Sequence, residues 1–191
     1  MRAALDMLYR ASGALAAVLL AAIGGIVLLQ VGANLIDKIV GWVGGTPPGL
    51  LIPSYSEFAG FFLAAASFLA LAYTLRAGGH IRVSLVIHNL PPRARWGIEL
   101  WCTAVASALT GYFAWYASRL VWDSLRFNDL SPGIVPVPLW IPQAPVAVGL
   151  VVLTIALVDE LVRVLRGGSP TYEDETPSVF TGDGPPAPGA K

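Results

Sequence analysis

Four long stretches without a charged residue constrain this chain more than any other feature. They run from Ala11 to Ile36, Phe58 to Leu75, Leu100 to Ser118 and Leu130 to Val158. A helix crosses the hydrocarbon core of a bilayer with about 20 mostly apolar residues. Each stretch is near that length or longer. The pattern predicts an all-α integral membrane protein with four transmembrane helices, roughly 11–36, 57–76, 98–122 and 142–164. Only 13% of the 191 residues are charged, about half the roughly 25% usual in soluble domains.

The first stretch reads as a membrane helix and not as a cleaved leader, because the apolar region of a signal peptide is only about 7–15 residues long. The basic residues then set the orientation. With four spans, both chain ends share a side with the connection between the second and third helices. That side holds Arg2, Arg10, Arg76, Arg82, Arg93, Arg95, Arg163, Arg166 and Lys191, and the other holds Lys38, Arg119 and Arg126. The excess of cationic residues places both termini in the cytoplasm.

The two outward loops, 37–57 and 119–138, are punctuated by turn formers. The first has glycines beside Trp42 and the Pro47-Pro48 pair, and the second has Ser131-Pro132-Gly133, Pro136 and Pro138. Residues 37–43 either extend the first helix or lie along the interface, with Trp42 at headgroup depth. The segment 123–138 reads as non-helical because its prolines remove donors and clash with a preceding turn. Pro142 and Pro145 place the start of the last helix near one or the other. Glu99 reads as the opening of the third helix, where the dipole favours a carboxylate. Arg119 and Asp123 stand four residues apart, in the weaker order for pairing.

Residues 1–166 therefore form the membrane domain. Residues 167–191 contain five prolines, five glycines and the run Glu173-Asp174-Glu175, and they read as a disordered cytoplasmic tail.

Several functions are disfavoured. No ionisable residue lies near the middle of a stretch, where ion paths and proton relays place theirs. No HExxH, GxSxG or Walker loop occurs, so no catalytic residue is assigned. Cys102 has no second thiol for a disulfide, and His80 and His88 lack further ligands for a metal. The chain reads as having no cofactor, and its zero formal net charge gives no sign of nucleic-acid binding. Small residues such as Gly24, Gly25, Ala64–Ala66, Ala104, Ala106, Ala108 and Gly111 read as packing surfaces between helices.

After the second helix comes Arg76-Ala77-Gly78-Gly79-His80-Ile81-Arg82-Val83-Ser84-Leu85, then Leu90-Pro91-Pro92-Arg93-Ala94-Arg95. Its four arginines suit anionic headgroups, each contributing about 1 kcal/mol near such a surface. The basic-Gly-x-His-Ile-Arg-Val arrangement resembles the small membrane subunit, DctQ type, of tripartite ATP-independent periplasmic (TRAP) transporters. Four helices, cytoplasmic ends and the proline-bearing segment from Ile134 to Gly149 resemble that family too, over about residues 10–165. Where the family often has an acidic residue after this segment, the chain has Ser84.

The resemblance implies a scaffold subunit of a sodium-coupled importer in the bacterial inner membrane. It implies a large DctM-type subunit that carries the path, and a periplasmic substrate-binding protein that delivers solute, organic acids being the usual class. Under that reading Arg76, Gly79, His80 and Arg82 fix the cytoplasmic loop against the bilayer or the large subunit. Arg119, Asp123, Arg126 and Asp129 are candidates for the outer surface that meets the binding protein. The alternatives are a stand-alone transporter or channel for a small solute, and a membrane enzyme or redox protein.

Overall fold

The computed structural model describes residues 2–46, 48–51, 53–77 and 91–166. Among them the chain is all-helical: α1 Arg2–Trp42, α2 Tyr55–Arg76, α3 Pro92–Phe127 and α4 Trp140–Leu165. Three of the four, α1, α2 and α4, are long and apolar enough to cross a membrane. The third has the uncharged run 100–118, but Trp101, Thr103, Ser107, Thr110, Tyr112, Trp115, Tyr116 and Ser118 lower its mean hydropathy. The tail 167–191 and the connection 78–90 lie outside the described residues.

The helices extend past their uncharged stretches. At 1.5 Å per residue the 41 residues of α1 span about 60 Å, twice the roughly 30 Å hydrocarbon core. Residues 37–42 thus continue the first helix. Residues 123–127, expected to be irregular, instead form the last turns of α3, because the first proline of the segment comes only at Pro132. Asn128 ends the helix in the left-handed conformation, φ 52° and ψ 46°, which a short polar side chain tolerates. At the other end α3 begins at Pro92, so Glu99 lies two turns inside the helix and is buried. The dipole account of Glu99 is therefore incorrect. The start of α4 at Trp140 places Pro142 in its first turn and Pro145 inside the helix.

The four helices form a row and not a closed bundle. α1 packs on α2, α2 on α4, and α4 on α3, while α1 only grazes α4. Small residues line every seam. Ser12 and Ala16 of α1 meet Ala66 and Leu69 of α2. Gly149, Val152 and Ala156 of α4 meet Phe68, Leu69 and Ala72 of α2. Thr103, Ser107, Gly111 and Ala114 recur at helical spacing on α3, and Gly111 faces Thr154 of α4. Without a hydrophobic force between helices in lipid, such close approach supplies van der Waals contact. The hydroxyls along this seam are satisfied locally: Thr103 donates to the Glu99 carbonyl and Ser107 to the Thr103 carbonyl.

The row leaves its large side chains outside. Trp101, Trp115 and Trp122 of α3 and Leu28, Leu29 and Val31 of α1 are mostly exposed. Such a surface in water would be an aggregation liability. It suits a chain whose flanking helices face lipid or another membrane protein.

Candidate partner-facing surfaces

Charged residues gather toward two ends of the row. At one end the start of α1 meets the end of α2. Arg76 Nη2 lies 2.6 Å from Asp6 Oδ1, and its guanidinium stands over the Tyr9 ring, 5.4 Å from the centroid. Tyr9 is buried with Ala72, Val152 and Ala156, at the meeting point of α1, α2 and α4. Its hydroxyl has no hydrogen-bond partner among the described residues. Trp96 Nε1 of α3 donates to the Val164 carbonyl of α4 at 3.2 Å. Arg76 is thus engaged within the chain, tying α2 to α1. Gly79, His80 and Arg82, the other members of the proposed loop site, lie outside the described residues.

At the opposite end two loops meet. Residues 128–139 close on themselves. Ser131 N donates to the Val137 carbonyl at 2.8 Å, Val137 N to Ser131 Oγ at 3.2 Å, and Leu139 N to the Asp129 carbonyl at 2.9 Å. Ser131 is buried at the centre of this turn. The loop then docks on the start of α2: Val135 N donates to Ser54 Oγ at 3.1 Å. The Glu57 carboxylate occupies the space where a Cβ on Gly133 would stand. Ser54 itself adopts a left-handed conformation, φ 57°. No pattern in the sequence singles out Ser54 or Glu57 for this docking. The available signal was Gly133, the residue without a side chain in a loop otherwise rich in bulky ones.

The preceding loop is folded back as well. Gly49 N donates to Asp37 Oδ1 at 3.1 Å, with Gly44 and Gly49 at φ 80° and 67°. Lys38 stands over Trp42 at 5.7 Å.

The four outer candidates lie beside this docked loop. Arg119, Asp123 and Arg126 occupy the last turns of α3, Asp129 follows its cap, and all four are exposed. No ion pair joins Arg119 to Asp123 among the described residues; Arg126 stands over Phe127, 5.9 Å from the ring centroid. The charges therefore remain available to a partner above α3. No group of three or more metal-ligating side chains occurs among the described residues, and no constellation of nucleophile and base is assembled at either end.

Comparison with known families gives a match. Residues 50–167 fit the family model of the DctQ component of tripartite ATP-independent periplasmic transporters. That span is more than half of the chain and runs from the loop before α2 to the end of α4. No curated protein and no solved structure is significantly similar to the chain.

Proposed function

The chain belongs to the DctQ family of TRAP transporter components, and from that membership we propose that it is the small scaffold subunit of a sodium-coupled solute importer. Its four helices span the bacterial inner membrane with both ends in the cytoplasm. It packs beside a DctM-type subunit that carries the solute, an organic acid, and it has no catalysis of its own. The observation that carries this reading, beyond membership, is the helical row. A single layer of helices encloses no path, yet it widens whatever it flanks. The absence of mid-helix charges supports the same division of labour, since carrying an ion or polar solute requires convergent polar groups at mid-depth.

The two ends take different roles. The loop 128–139, pinned on Ser54 and Glu57, presents a shaped outer surface. Arg119, Asp123, Arg126 and Asp129 border it and meet the periplasmic substrate-binding protein. Arg76 holds the end of α2 against α1, and with Gly79, His80 and Arg82 it fixes the cytoplasmic loop against the bilayer or the large subunit.

The test is a detergent pull-down of the tagged chain from its native membrane. A stoichiometric multi-helix partner is the expected result. A chain that purifies alone and drives solute uptake in liposomes by itself would overturn the scaffold reading.

A further inference from the structure

Between α2, α3 and α4, toward the docked-loop end, lies an open cleft of about 220 Å³. Phe61 and Ala64 of α2, Ala117 and Leu120 of α3, and Pro142 and Gln143 of α4 border it. The two alanines make the space, since longer side chains at either position would fill it. An apolar cavity of roughly 150 Å³ suffices to bind benzene, so this cleft accommodates a stretch of hydrocarbon chain.

One side-chain acceptor at its rim lacks a donor, and a proline in the same helix withholds a backbone donor. Gln143 Oε1 is buried with no hydrogen-bond partner among the described residues. Pro145 has no N–H for the carbonyl of Ile141, the residue four earlier in the same helix. Within a bilayer an unmet acceptor cannot turn to water and is costly. The terminal amide of glutamine rotates in a broad, shallow well, so a donor entering the cleft can reach it. The site therefore asks for a molecule with an apolar chain and a hydrogen-bond donor at one end, arriving from the leaflet nearest the docked loop.

We propose that this cleft binds one phospholipid whose headgroup carries donors, such as phosphatidylethanolamine, with an acyl chain along Ala64 and Ala117 and a headgroup donor on Gln143. The lipid braces α2, α3 and α4 at the end that holds the outer loop. This rests on reading those three helices as membrane spans.

The experiment uses the full chain purified in detergent, titrated with phosphatidylethanolamine or with phosphatidylcholine, whose choline has no donor, and read by native mass spectrometry. The parent is expected to retain phosphatidylethanolamine in preference. Gln143→Leu should weaken phosphatidylethanolamine roughly two- to tenfold, the range one hydrogen bond supplies, and leave phosphatidylcholine unchanged. Ala117→Phe should abolish both. Equal binding of the two lipids to the parent overturns the proposal, as does a Gln143→Leu variant that binds as the parent does or loses both lipids equally. If Ala117→Phe does not fold, Gln143→Leu still decides. Release of the chain from membranes by alkaline carbonate would instead defeat the spanning reading. A carbonate-resistant chain without lipid preference defeats the lipid site alone.

Discussion

Gly149 of α4 rests against the backbone of Phe68 of α2: a Cβ at position 149 would stand 2.6 Å from both the carbonyl carbon and oxygen of Phe68. Backbone cannot turn aside as a side chain can. The seam between α2 and α4 therefore requires glycine at this position, and among the described helices it is the one extensive contact joining the α1–α2 pair to the α3–α4 pair.

Gly149→Leu should force the two pairs apart. Overpacking of a close contact costs typically about 1–3 kcal/mol, and Gly149→Ala should fall at the lower end. The measurement is unfolding in mixed detergent followed by circular dichroism. An unchanged midpoint for Gly149→Leu would show that α2 and α4 do not approach as described.

The seam between α1 and α2 makes a paired prediction. A Cβ on Gly13 would lie 2.8 Å from Cγ of Tyr73, whereas Ser12 donates its hydroxyl to the Leu69 carbonyl. That carbonyl also serves its own helix, so removing the hydroxyl leaves no acceptor orphaned. Ser12→Ala should cost about 0.6 kcal/mol, the usual size of such bonds between membrane helices. Gly13→Val should cost more, because the Tyr73 ring must move. The same unfolding assay ranks the two, and the reverse order would contradict the described register.

Much of this architecture is legible in the sequence, for a physical reason. Uncharged runs announce helices because the bilayer penalises every charge, and turn residues such as Pro47-Pro48 and Ser131-Pro132-Gly133 announce the ends. Helix extension beyond those runs is not legible. Nothing forbids Asp123 or Arg126 from continuing a helix at the membrane surface, and Asn128, not a proline, ends it. The order of the row is equally hidden, since Gly149 carries no mark that distinguishes it from Gly24 or Gly25, which meet nothing within 4 Å. Of the candidate surfaces, the exposed charges of α3 could be named from position. The docking of Val135 on Ser54 joins residues 81 apart in sequence, and no local pattern encodes it.

At the other end Tyr9 and Arg76 separate two kinds of contribution. Asp6 and Arg76 are partly exposed, at 40% and 30%, so a double-mutant cycle with Asp6→Asn and Arg76→Gln should give a coupling of only about 0.2–1 kcal/mol, reduced by salt. Tyr9→Phe should leave stability unchanged or raise it by up to about 1 kcal/mol, because the lost hydroxyl is buried with no partner among the described residues. Tyr9→Ala should cost several times more, about 3–5 kcal/mol for truncating a buried aromatic ring. Destabilisation by Tyr9→Phe comparable to Tyr9→Ala would mean that the hydroxyl, and not the ring, holds α1 to α2 and α4.

The outer surface gives the prediction closest to function. Ser54→Ala removes the acceptor of Val135 N, and Glu57→Ala removes the carboxylate seated against Gly133, so both should loosen residues 129–139 without disturbing the helices. Loss of one such hydrogen bond costs about 0.5–1.5 kcal/mol, enough to speed hydrogen exchange at Val135 roughly two- to tenfold, and exchange mass spectrometry reads it directly. Arg126→Glu with Asp129→Lys should leave that exchange unchanged while slowing association of the periplasmic binding protein and altering its salt dependence, as charges at the rim of an interface do. The two sets of variants thus separate the shape of the loop from its charge. If uptake by the assembled transporter and affinity for the binding protein survive the charge reversal intact, the docking surface lies elsewhere on the row, and the pinned loop serves only to close the outer ends of α3 and α4.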